Sequence, residues 1–489
     1  MGIICMIQGT RKPSAMASHL NVDICVIGAG SGGLSVAAGA AQMGASTVLV
    51  EKGKMGGDCL NYGCVPSKAL LAAAHAAEGA RRAHRLGIGN GEATVDATRV
   101  YGHVRDTISA IAPNDSVERF EGLGVKVIQG QARFAGRRVV EADGCRITAR
   151  RVVVATGSQP FVPPIPGLDA VPHLTNETVF ELQALPRHLI IVGGGPIGVE
   201  MAQAHRHLGA EVTVLEMATL MPRDDPELVD VLRTRLKADG VDIREGVEVV
   251  GVGQEGGDVV ATLRHDGGEA RVEGTHILVA AGRRPTVQGL DLEAAGIEFS
   301  ATGIEVDARL RTTNKRVFAI GDVAGGHQFT HAAGYHAGIV IRNALFRLPA
   351  KVDTNALPWV TYTMPELAQV GLTEIQAKRQ AGDIRLLRWP FAENDRARTE
   401  ADTDGLIKVV TTPRGRILGA GIVGPRAGEL IHTWVLAVSR KMKIGAIANM
   451  IAPYPTLGEV SKRAAGSFYT PALFGEGTKK IVRLLARLG

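Results

Sequence analysis

The chain has 489 residues, of which 45% are hydrophobic and 21% charged, with 61 glycines and a formal net charge of +6. This composition is typical of a globular α/β protein of about three domains and excludes an intrinsically disordered chain. The sequence has no apolar run of the roughly 18 residues that cross a membrane, and no long basic run that would indicate nucleic-acid binding. Five cysteines in so long a chain argue against a secreted disulfide framework, and a cytoplasmic location is expected.

Residues 1–20 show no clear periodicity, and they lack the charged start and the long apolar stretch of a signal peptide. They are interpreted as an N-terminal extension, with Met16 as the proposed natural start of the protein. The globular part of the chain is therefore expected to begin near residue 21.

The first predicted element is a strand over residues 23–27, followed by a glycine turn, a small-residue helix and a second strand over residues 46–50. The turn has the G-x-G-x-x-G spacing, which lets backbone amides approach a pyrophosphate at the N-terminus of a helix. Its three glycines are Gly28, Gly30 and Gly33. Glu51 follows the second strand, where a carboxylate can accept hydrogen bonds from a ribose.

The same arrangement recurs over residues 188–216, where a strand, a glycine turn and a helix precede a strand that ends on Glu216. The glycines of this second turn are Gly193, Gly195 and Gly198. One such turn is a weak signal, but two in the same context predict that the chain binds two dinucleotides. Glu216 is placed to accept the ribose 2′-hydroxyl and to repel a 2′-phosphate, which favours NADH. The nearby Arg206 leaves NADPH possible.

The proline-rich segment 160–166 is interpreted as a linker into the second dinucleotide-binding unit. After about residue 358 the glycine fingerprints stop, and strands predicted over residues 405–410 and 417–423 alternate with helices. The predicted fold is therefore α/β, with two Rossmann-like dinucleotide-binding domains and a C-terminal α+β domain.

Cys59 and Cys64 are separated by four residues in the run Gly-Asp-Cys-Leu-Asn-Tyr-Gly-Cys-Val-Pro-Ser-Lys, which ends at Lys68. Such a pair at the start of a helix can close a small disulfide if its Cβ atoms come within about 4 Å. The helix N-terminus and the charge of Lys68 would lower the pKa of a thiol there and favour the thiolate. A structural disulfide and two separate thiols are the alternatives. Beside a dinucleotide fingerprint we expect a redox-active pair.

Taken together, these motifs resemble the class I pyridine nucleotide-disulfide oxidoreductases, which include dihydrolipoamide dehydrogenase, glutathione reductase and mercuric reductase. The resemblance also rests on the cysteine run and on the short motifs Ala-Thr-Gly (155–157), Ala-Gly-Arg-Arg-Pro (281–285) and Ala-Ile-Gly-Asp (319–322). It implies FAD and a nicotinamide as cofactors, and a homodimer whose active site takes its base from the other subunit. The implied domains are an FAD-binding domain in two segments, 21–160 and 286–357, an NAD(P)-binding domain, 161–285, and a dimerisation domain, 358–489.

The resemblance also implies roles for individual residues. Cys64 would lie next to the flavin and form the charge-transfer thiolate, and Cys59 would be the interchange thiol that attacks substrate. Lys68 and Glu200 match a pair beside the flavin, and Asp322 would contact its ribityl chain. The other residues expected to bind cofactor are Ala132, Gly157, Ser158, Gly282, Gln328, Phe329, Thr330 and His331. No metal site is expected.

The C-terminal region departs from the family pattern. Members that use disulfide substrates carry His-Pro-x-x-x-Glu, in which the histidine is the acid/base. In this chain Glu459 matches the glutamate, but Tyr454 stands at the histidine position. A tyrosine, with an ordinary pKa near 10, is a poor base at neutral pH. Mercuric reductases also place a tyrosine here, but they usually add a C-terminal cysteine pair that residues 485–489 lack.

Three hypotheses follow. The first is an NADH-dependent flavoenzyme that reduces a disulfide-like or soft-metal substrate, since residues 114–120 and 361–367 resemble the mercuric-reductase-like branch. The second is a dihydrolipoamide dehydrogenase that works without the histidine, which Glu216 favours. The third is a flavin-binding redox sensor or structural partner that does not turn over. The expected substrate is a small disulfide, a dithiol or a metal–thiol complex.

Overall fold

The computed structural model describes residues 18–89, 91–265 and 267–488, and the proposed start at Met16 lies outside them. The chain divides into two compact units. Among the described residues, unit 1 contains 18–57, Ala112–Ser158 and Pro285–Val352, and unit 2 contains Asp58–Ile111, Gln159–Arg284 and 353–488.

Strands and helices alternate along much of the chain. The first part of the chain forms β1 (Ser18–Ile27), α1 (Ser31–Gln42), β2 (Thr47–Glu51), α2 (Gly57–Asn61), α3 (Cys64–Arg82), α4 (Ala97–Ile111), α5 (Val117–Gly122), β3 (Val125–Gln129), β4 (Arg133–Gly136), β5 (Val139–Ala142), β6 (Cys145–Val154) and β7 (Ser158–Pro160). The second part forms β8 (His188–Val192), α6 (Pro196–Leu208), β9 (Glu211–Glu216), α7 (Pro226–Ala238), β10 (Asp242–Glu245), β11 (Glu248–Glu255), β12 (Asp258–His265), β13 (Gly268–Gly274), β14 (His276–Val279) and β15 (Arg283–Pro285).

The third part of the chain ends in a series of helices. It forms β16 (Phe299–Ser300), β17 (Gly303–Ile304), β18 (Val317–Ala319), α8 (Thr330–Ala344), β19 (Pro358–Thr361), β20 (Glu366–Gly371), α9 (Glu374–Ala381), β21 (Arg385–Pro390), α10 (Asp395–Thr399), β22 (Leu406–Thr411), β23 (Ile417–Gly424), α11 (Ala427–Leu430), α12 (His432–Ser439), α13 (Gly445–Ala448), α14 (Glu459–Ser467), α15 (Thr470–Leu473) and α16 (Glu476–Leu485).

Unit 1 is built on one sheet with the strand order β3-β2-β1-β6-β5-β4, and β18 also pairs with β6. Strands β1, β2, β3, β6 and β18 run parallel, whereas β4 and β5 form antiparallel pairs. The buried parts of β1, β2, β6 and β18 are rich in valine and isoleucine, as is typical of parallel strands that are covered on both faces. The carboxyl ends of β1 and β2 therefore meet at one edge of the sheet, where the first glycine turn lies.

The first strand begins at Ser18, whereas the sequence predicted a start at Asp23. Residues 18–22 pair in parallel with residues 145–149 of β6, and Leu20 and Val22 pack against the core of the sheet. This pairing joins segments far apart in the chain, so the local pattern did not show it. Residues 18–20, which were assigned to the N-terminal extension, thus belong to the sheet.

Unit 2 contains three larger sheets. The parallel sheet β10-β9-β8-β14 carries the second glycine turn, and a three-stranded antiparallel sheet has the order β11-β12-β13. The third sheet, β19-β20-β23-β22-β21, is antiparallel and packs against α12 and α14 around the buried Trp434. These elements confirm the predicted α/β class. Within the described residues, no helix combines the length and apolar character needed to span a membrane.

Candidate active site

The first glycine turn, between β1 and α1, has the close backbone packing that its sequence predicts. Gly28 has a φ of +104°, and a Cβ atom at this position would lie 2.4 Å from the carbonyl oxygen of Ala155. A Cβ at Gly33 would lie 1.9 Å from the carbonyl oxygen of Gly28. At Gly30, by contrast, a Cβ would meet no atom within 4 Å. The turn is therefore tight on its inner side and open at Gly30, which fits a pyrophosphate at the start of α1.

Glu51, the last residue of β2, is fixed beside this turn. Its Oε2 accepts a hydrogen bond from the Ala29 N–H at 2.5 Å, and its Oε1 accepts one from the Gly53 N–H at 2.7 Å. Each carboxylate oxygen has two lone pairs, so each can still accept a bond from a ribose hydroxyl. The geometry fits the predicted role in binding the ribose of FAD.

Asp322 and Ser158 also lie together in unit 1, as the motifs predicted. The Ser158 hydroxyl donates to Asp322 Oδ2 at 2.6 Å. The preceding residue, Gly321, donates its N–H to His336 Nδ1 at 3.3 Å. Burial, with a smaller contribution from His327, lowers the pKa of His336, so the ring stays neutral and can accept this bond. His336 therefore orients the turn that carries Asp322, a role that sequence reasoning missed.

The remaining candidates for FAD binding differ in how much of their side chain is accessible. Ala132 is buried in the core of the sheet, so only its backbone could contact a cofactor. Phe329 precedes α8 and stacks on His331, with ring centroids 5.2 Å apart. Gly157, Gln328 and Thr330 are half-buried. These residues stay predicted cofactor contacts.

The second glycine turn, in unit 2, repeats the contacts of the first. Gly193 has a φ of +116°, and a Cβ at Gly198 would lie 2.0 Å from the carbonyl oxygen of Gly193. Glu216 Oε2 accepts from the Gly194 N–H at 2.7 Å, and its Oε1 accepts from the Ala218 N–H at 2.8 Å. Gly195 is the open position, with no atom within 4 Å of a Cβ there. This turn therefore also fits a dinucleotide.

Arg206 and Gly282, two further residues considered for binding the nicotinamide nucleotide, both form hydrogen bonds within unit 2. The guanidinium of Arg206 donates to the carbonyl oxygens of Asp239 at 2.8 Å and of Ala210 at 3.0 Å. Those bonds hold Arg206 at the far end of α6, so it gives no support for binding a 2′-phosphate. Gly282 is exposed and accepts a hydrogen bond from the Phe161 N–H at 2.9 Å.

The two cysteines flank a short loop between two helices. Cys59 is half-buried in α2, and Cys64 is the first residue of α3 and is exposed. The loop is held by Asp58, whose Oδ1 accepts from Asn176 Nδ2 at 3.1 Å and from the Arg283 guanidinium at 3.0 Å. The same Asn176 amide donates to the carbonyl oxygen of Tyr62 at 3.1 Å. Sequence reasoning missed Asn176 as part of this site because no local pattern marks it.

Lys68 lies one helical turn after Cys64, on the same face of α3. Its Nζ lies 2.8 Å from Glu200 Oε2, with the lysine side chain 37% exposed and the glutamate 7% exposed. Glu200 Oε1 accepts a second bond, from the Tyr362 N–H at 2.9 Å. The predicted Lys68–Glu200 pair thus forms inside unit 2, with the glutamate buried and both of its oxygens bonded.

Tyr362 is a further residue of this site that the sequence did not single out. Lys68 Nζ lies 4.4 Å from the centroid of the Tyr362 ring, which is the geometry of a cation–π contact. Burial raises the pKa of Tyr362, and the charges of Glu366, Glu200 and Cys64 raise it further. The phenol therefore stays neutral and forms part of the surroundings of Cys64.

Tyr454 and Glu459 lie near the C-terminus of unit 2. Tyr454 is 70% exposed, and its hydroxyl donates to Asp395 Oδ2 at 3.1 Å. This bond, together with the charges of Asp395 and Glu459, raises the pKa of Tyr454 above its ordinary value. Glu459 is half-buried at the first residue of α14, where the helix dipole stabilises a negative charge. Tyr454 is thus a hydrogen-bond donor rather than a base at neutral pH.

Two family models match the chain. The model described as pyridine nucleotide-disulphide oxidoreductase matches residues 22–337, and the model of the dimerisation domain of the same enzymes matches residues 357–465. Together they cover both glycine turns, the cysteine pair and the region that contains Tyr454.

Individual relatives carry two different enzyme names. A mercuric reductase of Streptomyces lividans is 36% identical over 462 residues, which cover 93% of this chain and 97% of the relative. A dihydrolipoyl dehydrogenase of Geobacillus stearothermophilus is 35% identical over 455 residues, covering 91% of this chain and 96% of the relative. A solved structure, the Cu(II) complex of the HOCl-induced flavoprotein disulfide reductase RclA from Escherichia coli, is 29% identical with a TM-score of 0.81 and covers 90% of this chain and 98% of that one.

Proposed function

Because this chain belongs to the pyridine nucleotide-disulphide oxidoreductase family, we propose that it uses NADH and FAD to reduce a disulfide or a soft metal ion through Cys59 and Cys64. The family consists of oxidoreductases that act on disulfides or metal and use FAD with a pyridine nucleotide. The dimerisation domain indicates a homodimer.

The placement of Cys64, Lys68 and Glu200 is the observation that carries the proposal. Cys64 is exposed at the N-terminus of α3, where the helix dipole favours a thiolate. Lys68 adds a positive charge one helical turn later. Glu200 holds the lysine ammonium in place through an ion pair, with 2.8 Å between Lys68 Nζ and Glu200 Oε2. A structural disulfide does not need a lysine held beside one of its cysteines by a buried glutamate, so the redox interpretation is favoured.

The chemistry on the cysteine pair is thiol–disulfide exchange. FAD, when bound, supplies the two-electron link between the nicotinamide and the Cys59–Cys64 disulfide, which is reduced to two thiols or thiolates. The Cys59 thiolate attacks a substrate disulfide, so that a mixed disulfide forms and the first substrate thiolate leaves. Cys64 then attacks the sulfur of Cys59, which releases the second substrate thiolate and restores the disulfide. A soft metal ion would instead be bound by both thiolates, the ligands that such ions prefer.

Tyr454 favours reduction of a substrate over oxidation of a dithiol. Oxidation of dihydrolipoamide requires a base that deprotonates the substrate thiol. Tyr454 occupies the position where disulfide-using members carry that base, but its pKa is raised and its hydroxyl donates to Asp395. A phenol in this state does not accept a proton at neutral pH. To donate a hydrogen bond to a leaving thiolate, its hydroxyl would have to exchange the bond to Asp395 for one to the sulfur.

The proposed domain arrangement follows the sequence prediction. It places the FAD-binding domain in residues 21–160 and 286–357, the NAD(P)-binding domain in 161–285 and the dimerisation domain in 358–489. We propose that Tyr454 and Glu459 serve Cys59 of the other subunit, as the family resemblance implies. Glu216 supports NADH as the donor, because its carboxylate already stands beside the second turn.

A dihydrolipoyl dehydrogenase is the second candidate. It is favoured by the Geobacillus stearothermophilus relative, which is nearly as similar as the mercuric reductase of Streptomyces lividans. Under this alternative the proton of the dithiol would be accepted without the usual histidine. The two candidates differ in direction, since the first reduces its substrate and the second oxidises it.

Anaerobic titration of the purified holoenzyme with NADH tests the redox pair. We expect a long-wavelength charge-transfer band in the wild type that is lost in Cys64→Ser. The control variant Cys145→Ser should keep the band, because Cys145 lies outside the pair, with its Sγ 2.8 Å from the Ser18 hydroxyl. A spectrum that is identical in the wild type and Cys64→Ser would contradict the proposal. It would support a flavin-binding protein without turnover.

Steady-state assays then separate the substrate classes. We expect NADH oxidation with thiol-bound Hg(II), with Cu(II) or with a small disulfide, and a much lower rate of NAD⁺ reduction by dihydrolipoamide. A robust rate with dihydrolipoamide that collapses in Tyr454→Phe would reverse the preference and assign the dihydrolipoyl dehydrogenase activity.

A further inference from the structure

The last helix of the chain, α16, exposes its apolar residues. Ile481, Leu484 and Leu485 recur at the spacing of one helical face, and Val482 adjoins them. Leu488 continues this spacing three residues after the helix ends at Leu485. Their exposed fractions lie between 57% and 78%, measured on a single chain. An exposed apolar face of this kind is informative, because isolated surface leucines are common but contiguous ones are not.

The segment that precedes α16 continues this apolar surface. Leu473 and Phe474 are also exposed, to 57% and 71%. In the part of the chain that the structure describes, no hydrophobic core cluster includes a side chain beyond Phe468. The core of the C-terminal sheet therefore does not account for the leucines of α16.

The opposite face of α16 is positively charged. It carries Lys479, Lys480 and Arg483, and Arg487 follows just after the helix; all four side chains are exposed. Glu476 is the one acidic residue in the sequence of 476–488, and it forms an ion pair with Lys479 at 2.9 Å. The same stretch offers no second acidic residue to the other three cations, so the polar face has a clear excess of positive charge.

We propose that α16, together with Leu473 and Phe474, binds to the surface of an anionic lipid bilayer. A helix with an apolar face and a cationic polar face lies in the plane of the interface, with its leucines among the acyl chains and its cations near the lipid phosphates. Its ten residues are far fewer than the roughly 20 needed to cross the hydrocarbon core. This role concerns location and is independent of the reaction at Cys59 and Cys64.

Charge complementarity favours a bilayer over a second copy of the chain. If α16 packed against α16 of a second copy about a twofold axis, the same helix faces would meet, because such an interface is isologous. The Lys480, Arg483 and Arg487 side chains of both copies would then flank one contact, with Glu476 already bonded to Lys479. Anionic phosphates supply the negative charge that this pairing lacks.

Vesicle flotation with the full-length holoenzyme tests the proposal. We expect the protein to float with vesicles of phosphatidylcholine and phosphatidylglycerol, to bind pure phosphatidylcholine much more weakly, and to be released as salt is raised. Leu484→Asp, which places a carboxylate on the apolar face, should lower the partition coefficient by about tenfold or more. Charge reversal at Lys480, Arg483 and Arg487 together should abolish the preference for anionic vesicles.

Ile375→Asp is the matched control, because Ile375 is an isolated exposed large hydrophobic residue in α9, 47% exposed compared with 60% for Leu484. It should bind vesicles as the wild type does, and neither variant should change NADH oxidation. Equal binding by Leu484→Asp and the wild type, or no binding by the wild type, would overturn the proposal. Light scattering gives a further test. If Leu484→Asp halves the mass of the wild-type oligomer, the face joins two copies and the proposal is wrong.

Discussion

The two glycine turns of this chain hold their carboxylates in the same way but differ at the first residue of the helix that follows. Glu51 and Glu216 each accept one hydrogen bond from a backbone N–H of the turn. Each accepts a second one from the backbone N–H of the residue two positions after the glutamate itself. The helix after the first turn begins with Ser31, whereas the helix after the second begins with Pro196. Proline is favoured at this position but has no N–H to offer an anion.

The difference fits two ligands with different residence times. The first turn can offer one backbone N–H more than the second, and Gly57 closes against it so tightly that a Cβ there would lie 2.7 Å from the Gly30 Cα. A cofactor that stays bound benefits from every donor, whereas a nucleotide that must leave after each cycle does not. We therefore propose FAD as the resident of the first turn and NADH as the exchanging ligand of the second.

Alanine substitutions in the two turns have the largest expected effects. They test whether FAD binds at the first turn and NADH at the second. Gly33→Ala puts a Cβ against the Gly28 carbonyl oxygen, so we expect loss of most bound flavin and more than about 2 kcal/mol of unfolding free energy. Gly198→Ala makes the same clash with Gly193, but it should keep its flavin and lose reduction by NADH. Flavin absorbance and rapid-mixing reduction measure both. Flavin loss from Gly198→Ala alone would exchange the two assignments.

Glu216→Arg tests the second carboxylate. It removes an acceptor for the ribose 2′-hydroxyl and adds a partner for a 2′-phosphate, so the ratio of kcat/KM for NADPH to that for NADH should rise by about tenfold or more. Glu216→Gln is the control, because it removes the charge without adding a phosphate ligand, and it should shift the ratio less. Unchanged ratios in Glu216→Arg would show that the nucleotide does not bind at this strand end.

The helices after the two turns also differ in their response to acid. Residues 31–42 contain no titratable side chain, whereas α6 buries His205, whose pKa burial lowers to about 4. The folded pKa is below the unfolded value, so stability is present above about pH 6.5 and is lost as the pH falls below it. We expect about 1 kcal/mol less unfolding free energy at pH 5.5 than at pH 7.5 from this group, measured by urea denaturation.

His205→Gln should remove this part of the pH dependence. His205 Nδ1 donates to the Met201 carbonyl oxygen at 2.8 Å, so its Nε2 accepts from the Tyr101 hydroxyl at 3.3 Å, and only the neutral ring does both. An unchanged difference between the two pH values would mean that His205 is not the group that titrates.

Substitutions at the first residue of each helix, Ser31 and Pro196, have the smallest expected effect. They test directly whether the extra backbone N–H of the first turn strengthens binding. Pro196→Ser restores an N–H and adds a hydroxyl, so the Kd of NAD⁺ should fall by about threefold, which corresponds to a weak extra hydrogen bond. Ser31→Pro should make flavin dissociate faster during dialysis. Equal Kd values for the wild type and Pro196→Ser would show that the missing N–H does not limit nucleotide binding.

Both βαβ units could be predicted from the sequence because their signals are local. Within each unit, the first strand, the glycine turn and the terminal acid lie within about 30 residues of one another. The terminal acid is Glu51 in the first unit and Glu216 in the second. The start of β1 at Ser18 could not be predicted in this way, because residues 18–22 are strand only by pairing with β6.

The surroundings of the cysteine pair were predicted only in part. Lys68 and Glu200 were identified through the family resemblance, and they form an ion pair. Other contacts join segments more than a hundred residues apart, so no local sequence pattern predicts them. They are the hydrogen bonds of Asn176 and Arg283 to Asp58 and the contact of Tyr362 with Lys68.

The apolar face of α16 combines a local signal with a property of the fold. The spacing of Ile481, Leu484, Leu485 and Leu488 is visible in the sequence. Their exposure is not, because the same spacing is typical of a helix that packs its apolar face against a core. Only the packing of the rest of the chain shows that this face is left uncovered.

Differential alkylation is the most direct test of electron flow from the second turn to the cysteine pair. Anaerobic holoenzyme is treated with iodoacetamide before and after NADH, and the labelled cysteines are identified by mass spectrometry. We expect Cys59 to be labelled only after NADH in the wild type, and to stay unlabelled in Gly198→Ala, while dithiothreitol exposes it in both. Labelling of Cys59 to the same extent without NADH would contradict the account.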